Sequence, residues 1–397
     1  MNFDLLAVKV QDFINDSLTM NFTKVALMKN PFPEISWNEI LNQIASKAKA
    51  KEKLPTWYNQ KNIIFPSKLS VEQTSSETTA QYKSQLISGK TLIDLTGGFG
   101  VDDYYFSKNF NRLVHCELKN DLHEIVKHNF NNLKAANIEC IQGDSHKILT
   151  LLNQHFDWIY IDPSRRNDAK GKVFMLKDCL PNVPENLDFY FNYTDNILIK
   201  TAPILDISAG LGELKNVKEI HIVAVQGEVK ELLWVIEKNY NSETSIKTVN
   251  INKSKSEVFD FILGKENYTC DYKLPQTYVY EPNGAIMKSG AFDLICKNFN
   301  ISKLHQFSHL YTSENLIDFP GRRFRINQVI DYNKQDLKET LEGKKANITT
   351  RNFPEQVDMI RKKWKIKDGG DIYSFFTTDV NNNKIVLICG KIHNDEN

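Results

Sequence analysis

Apolar residues recur every three to four positions through FINDSL and WNEILNQIASKAKAKEK, with PFPE between them, so residues 1–65 are expected to form an N-terminal helical region. From about Phe65 to Gly264 the texture changes. Short β-branched runs alternate with amphipathic stretches, the pattern of repeated βαβ units on a parallel sheet. Strands are expected at 91–96, 113–118, 138–141, 158–161, 197–200 and 220–225. A helix over 228–240 follows, then two extended runs at 246–251 and 258–263, and a seven-stranded sheet fits. Near 268–275 the pattern breaks into shorter mixed elements that form a second domain. Its tail, 346–391, reads as a strand, a helix over 355–364, and a hairpin of YSFFTTDV and KIVLICGK joined by Asn381, Asn382 and Asn383.

Composition adds boundaries to this picture. A chain of 397 residues with 41% apolar and 25% charged residues is that of a multidomain globular protein, and no apolar run approaches the ~20 residues that span a bilayer. The start, MNFDLLAVKVQDF, lacks the basic and then apolar layout of a secretory signal, so a cytoplasmic location is expected. Cys116, Cys140, Cys179, Cys270, Cys296 and Cys389 are scattered singly, without CxxC pairs or zinc spacing. They are expected to be free buried thiols, and no metal is expected.

Candidate chemistry begins in TLIDLTGGFGVDDYYFSK, where a buried strand holding Asp94 is joined to a helix through Thr96, Gly97, Gly98, Phe99 and Gly100. Glycines are needed where a backbone turns sharply and approaches a ligand, which favours a nucleotide-like ligand at the strand's carboxyl edge. A tight structural turn would need them too. Glu117 ends the second strand, where a carboxylate can accept from both ribose hydroxyls. Asp144 and Ser145, in QGDS, follow the third; Asp144 is placed to accept from an adenine amino group and would equally suit a turn. DPSRR, from Asp162 to Arg166, follows the fourth.

In this order and register, residues 66–264 resemble a class I S-adenosylmethionine-dependent methyltransferase. The family's glycine-rich first motif matches Asp94 through Gly100, its ribose-binding acid Glu117, its adenine-side acid Asp144 and its catalytic fourth motif Asp162 to Arg166. Thr96 stands where many members have the first glycine. The resemblance implies an α/β fold with a Rossmann-like seven-stranded sheet over 66–265, its last strand antiparallel. It also implies S-adenosylmethionine as cofactor, held by Asp94, Thr96, Gly97, Gly98, Gly100, Glu117, Asp144, Ser145 and Asp162. An NAD dehydrogenase would use Glu117 equally well, but TGGFG lacks GxGxxG spacing and no His or Tyr-Lys arrangement for hydride chemistry follows.

Methyl transfer from a sulfonium mainly requires an aligned acceptor lone pair and exclusion of water. Asp162 can accept from the acceptor N–H and Pro163 can stiffen the backbone beside it. Ser164, Arg165 and Arg166 stand where enzymes acting on base amines often carry a stacking aromatic, and arginine can stack on a base or grip a phosphate. Asp162, Pro163, Ser164 and Arg165 are therefore the expected catalytic group, with Arg166 and Lys200 expected at the substrate. Gln226, Gly227 and Glu228 either shape the acceptor pocket or cap a helix. Ser75, Ser76, Glu77 and Thr79 read as an N-cap with a capping box and as the start of a helix covering the methionine end of the cofactor. Cys179, in LKDCLPN, lacks the setting of a pyrimidine-C5 nucleophile.

Between Pro320 and Phe375, thirteen Lys and Arg stand against eight Asp and Glu in a chain whose net charge is only +1. GRRFRIN and RKKWKIK interleave basic and aromatic residues, which suits phosphate neutralisation with base stacking, though a charge run is also the ordinary composition of a solvated face. Arg322, Arg323 and Arg325 are the expected RNA contacts. The C-terminal third resembles the THUMP-like module (319–393) that accompanies methyltransferase domains, preceded by a ferredoxin-like segment (276–318). That resemblance implies binding of tRNA or rRNA, with methylation at a base nitrogen such as an exocyclic amine of guanine. The alternatives are a non-catalytic RNA-binding or assembly factor that keeps the cofactor pocket, and a methyltransferase of a non-RNA substrate.

Overall fold

The computed structural model describes residues 2–165, 175–265 and 268–392. The chain divides into two compact units, residues 1–220 with 230–242, and 221–229 with 243–397.

The candidate site lies on a sheet whose strands are short apolar runs, mostly buried except in the edge strand 138–142; residues 221–229 of its last two strands belong to the second unit. The strands are β1 (Gly89–Asp94), β2 (Phe110–Glu117), β3 (Ile138–Gln142), β4 (Trp158–Ile161), β5 (Asn196–Thr201), β6 (Val217–Val225) and β7 (Glu228–Glu237). Their order is β6-β7-β5-β4-β1-β2-β3, with β3, β2, β1, β4 and β5 parallel to one another and β7 antiparallel to β5. The order reverses between β1 and β4, and in such sheets that reversal opens a crevice at the carboxyl edge where ligands bind. Leu92, Ile93, Leu113, Val114, Ile159, Ile161, Ile197, Leu198 and Ile199 have no solvent contact.

β7 corrects the sequence expectation of a helix over 228–240. Its Glu, Lys and Leu content carries helix propensity, but Leu232, Leu233, Trp234 and Ile236 are fully buried in a strand that pairs with β5 from Asn196↔Glu237 to Thr201↔Leu232. A run apolar on both faces belongs inside a sheet, and the packing there outweighs propensity. The antiparallel member of the sheet is thus 228–237.

The helices Val8–Ser17 and Trp37–Lys53 form where the spacing in FINDSL and WNEILNQIASKAKAKEK predicts them, and the short helices Phe22–Ala26 and Pro55–Asn59 accompany them. Val10, Ile14, Val25, Ile40 and Ile44 make a core of their own, while Leu54, Trp57 and Phe65 pack with Phe99, Val101, Tyr105 and Phe130. Trp57 and Phe65 both lie 6.2 Å from Phe99, so these helices buttress the glycine loop.

In the second unit, Ser245–Ile251 and Glu257–Ile262 pair antiparallel. A seven-stranded sheet follows in the order Ser302–Lys303, Tyr311–Ser313, Tyr278–Pro282, Gly321–Asp331, Lys384–Lys391, Ile372–Thr378, Asn347–Arg351, antiparallel throughout except for the last pair. The hairpin turn is closed by Asp379, whose Oδ1 accepts from the N–H groups of Asn381 (2.9 Å) and Asn383 (2.8 Å). Cys270 and Cys296 form a disulfide here, which corrects the expectation of six free thiols. Their separation of 26 residues carries no spacing signal; the helix Phe292–Phe299 brings Cys296 into the same apolar cluster as Cys270. Cys116, Cys140, Cys179 and Cys389 are in no disulfide. Among the described residues no helix is long and apolar enough to cross a membrane, and no group of His, Cys, Asp or Glu could hold a metal ion.

Candidate active site

The carboxyl ends of β1 and β4 meet through Thr96. Its N–H and Oγ1 both donate to Asp94 Oδ1, at 2.7 and 2.9 Å, and its Oγ1 accepts from the Asp162 N–H at 2.7 Å. A glycine there would lack the hydroxyl that ties the first-strand loop to DPSRR. This gives the departure at Thr96 a structural reason.

The loop is held from behind. Gly97 N–H donates to Cys116 O (2.9 Å), and a side chain at Gly97 would collide with the His115 imidazole. His115 Nδ1 lies 2.5 Å from Asp103 Oδ2, and both side chains are fully buried. Burial pushes Asp94 and Asp103 well above the usual carboxylate range and His115 below the usual imidazole range. A Cβ on Gly98, at φ +58°, would meet only the Thr96 carbonyl oxygen, at 3.6 Å, whereas one on Gly100, at φ +74°, would collide with Phe130. Only glycine takes both conformations without cost.

Glu117, at the end of β2, accepts from the Gly98 N–H through Oε2 (3.2 Å) and from the Lys119 N–H through Oε1 (2.7 Å). Each oxygen keeps a lone pair for a further donor. Asp144 is exposed and caps the helix Ser145–Leu152, its Oδ1 accepting from the Lys147 N–H at 3.0 Å; Ser145 is half-buried. Beside it His146 stacks on Phe189, ring centroids 3.6 Å apart.

At the end of β4, Pro163 is buried and Ser164 exposed, and Ser164–Arg165 pairs with Cys179–Leu180. Arg166 lies outside the described residues. Lys200, on β5, donates to Asp162 Oδ2 at 2.5 Å. Burial opposes its charge, but Asp162, Glu231 and Asp102 hold the ammonium above its ordinary pKa.

A buried polar cluster adjoins this pair. Lys83 Nζ contacts Glu231, Asp102 Oδ1 (3.1 Å) and Ser75 Oγ (3.1 Å), while Asp102 Oδ2 accepts from Ser75 Oγ and from Tyr160, both at 2.8 Å. Sequence reading missed Lys83, Asp102, Tyr160 and Glu231. The helix Glu77–Leu86 is capped by Ser76, which accepts from the Thr79 N–H at 3.2 Å. Glu77 does not complete a capping box: it accepts from the Thr56 N–H (2.6 Å), Thr56 Oγ1 (2.7 Å) and Tyr105 (2.5 Å), tying helices together.

In the second unit the three expected RNA contacts differ. Arg322 donates to the buried Glu281 (Nε to Oε2, 2.6 Å), which Arg351 also engages at 2.8 Å. Arg323 is only 4% exposed, and Arg325 is exposed. A concavity of about 440 Å³ is lined by Tyr332, Asn333, Lys334, Lys338, Glu342, Lys363 and Trp364, two aromatic rings and three lysines with one glutamate.

No curated protein matches the chain. The model of a ferredoxin-like domain matches residues 278–320 and that of a THUMP domain-like family residues 321–391. The chain is similar to the crystal structure of a protein from Porphyromonas gingivalis W83 proposed to be a methyltransferase, at 29% identity over 98% of each chain, with a TM-score of 0.87. An rRNA methylase from Streptococcus thermophilus is far more distant: 12% identity over 41% of this chain and 94% of that one, TM-score 0.30, too low to bear on function.

Proposed function

We propose that this chain, which has a class I methyltransferase fold followed by ferredoxin-like and THUMP-like domains, is an S-adenosylmethionine-dependent enzyme that methylates a base nitrogen of RNA. The observation that carries the reading is Thr96, whose hydroxyl joins Asp94 to Asp162 at the point where strand order reverses.

The residues present fit the cofactor. Gly98 turns the backbone at φ +58° with only the Thr96 carbonyl beside it, and Glu117 keeps lone pairs for ribose hydroxyls at the end of β2. Asp94, Gly97 and Gly100 shape the loop, and Asp144 with Ser145 stands at the third strand end. When bound, S-adenosylmethionine supplies a methyl group already activated on a sulfonium. The protein's part is to place an acceptor nitrogen and take its proton, for which Asp162 at the edge of the crevice is the acceptor. The THUMP domain-like match, the local excess of Lys and Arg and the aromatic-lysine concavity support RNA as the partner.

Calorimetry of the purified protein with S-adenosylhomocysteine, followed by transfer of tritiated methyl to RNA from cells lacking the gene, tests both halves. Binding with label in RNA is the expected result. Binding without any transfer would instead favour a non-catalytic RNA-binding factor, and label in protein a different substrate.

A further inference from the structure

Asp162, one residue past β4, and Lys200, on the neighbouring parallel β5, have Oδ2 and Nζ 2.5 Å apart, their side chains 37% and 13% exposed. Asp102 and Glu231 add negative charge behind the lysine, so it stays an ammonium and cannot serve as the base. The carboxylate is the proton acceptor of the pair. The crevice thus offers a hydrogen-bond acceptor side by side with a permanently charged donor.

We propose that the Asp162–Lys200 pair selects a lactam edge, a ring N–H beside a carbonyl as in guanine or uracil, and directs the methyl group to that ring nitrogen. This rests on the RNA methyltransferase reading and replaces the exocyclic amine expected from sequence. A lactam nitrogen has no free lone pair until its proton leaves, and the charge then developing spreads onto the adjacent carbonyl oxygen. An ammonium at that oxygen stabilises the change as it occurs. The amidine edges of adenine and cytosine also place a donor beside an acceptor, but their acceptor is a ring nitrogen that feeds electron density to the amine. An ammonium there withdraws that density and meets no developing anion. The same cation therefore helps one reaction and hinders the other.

In the step itself the ring N–H proton passes to the Asp162 carboxylate and the nitrogen's freed electron pair forms the N–CH3 bond. The methyl–sulfur bond breaks with its pair left on sulfur, and the proton leaves the carboxyl group to solvent. Lys200 is the specificity-determining residue.

The test uses the full chain saturated with S-adenosylhomocysteine and titrated with GMP, UMP, AMP and CMP by ligand-observed NMR. In parallel, RNA from cells lacking the gene is methylated in vitro and its nucleosides are identified by mass spectrometry. GMP or UMP should bind at least about fivefold tighter than AMP and CMP, a preference lost in Lys200→Met and kept in Lys200→Arg. The new nucleoside should carry its methyl group on a ring nitrogen next to a carbonyl. Equal binding of all four nucleotides, or a methyl group on an exocyclic amine, a carbon or a ribose oxygen, overturns the inference and leaves the RNA reading standing. Absence of any transfer to RNA by protein that binds S-adenosylhomocysteine overturns both.

Discussion

Lys83 Nζ lies 2.8 Å from both carboxylate oxygens of Glu231, and the lysine side chain has no solvent contact at all. The pair ties the helix Glu77–Leu86 to β7, and Asp102 completes it from a third element. Breaking a buried ion pair leaves charge without compensation. Lys83→Met strands two buried carboxylates and should cost about 3–5 kcal/mol in urea unfolding. Adding Glu231→Gln to it should recover part of that loss; a double variant no more stable than the single one would show that the pair is not the unit of stability.

Gly97 and His115 make a second prediction, because a Cβ on Gly97 would fall on an imidazole that Asp103 holds in place. Gly97→Ala should displace the loop and weaken S-adenosylhomocysteine binding at least tenfold, about 1.4 kcal/mol. Calorimetry of the folded variant decides; unchanged affinity would mean that the loop is not the cofactor cradle.

The parallel part of the sheet was legible in sequence because each strand is a short apolar run bounded by polar turns; the pattern at 158–161 coincides with β4. The glycine loop was legible because a turn with φ +58° and +74° writes itself as glycine. EVKELLWVIE was not. Its residues favour a helix, and only the two flanking strands make it a strand, which hid Glu231 as well. Lys83 reads as a solvated helix residue since nothing local announces its distant partners. Arg323 reads as a surface cation, and only the seven-stranded sheet buries it.

Lys53 supplies a pH-dependent prediction. Burial, then the nearby Lys200 charge, draws its ammonium down to about 8, while Nζ donates to the Glu72 carbonyl at 2.5 Å. In the unfolded chain a lysine titrates near 10.4, so between about pH 8 and 10 the unfolded state holds a proton that the folded state has released. The contribution of Lys53 to stability therefore rises with pH across that window and is lost as pH falls through about 8. Urea titrations of wild type and Lys53→Met should diverge in favour of wild type from about pH 8 to 10. A difference that stays flat would place the lysine in ordinary solvent.

The basic strand Gly321–Asp331 separates contact from support. Arg323 is buried and Arg322 shares Glu281 with Arg351, so reversing either charge puts a carboxylate against a buried neighbour or leaves it unpaired. Arg323→Glu should lower the melting temperature of the protein, and any loss of RNA binding it causes would follow from unfolding. Arg325 is exposed on the same strand, and Lys338 lines the aromatic concavity. Arg325→Glu and Lys338→Glu should leave the melting temperature and S-adenosylhomocysteine affinity unchanged. Each should weaken binding of total tRNA and reduce the slope of log affinity against log salt by roughly one unit per lost phosphate contact. Should both variants bind tRNA as wild type does, with the same salt slope, the lysines and arginines of this unit form a solvated face and the RNA partner must be sought elsewhere.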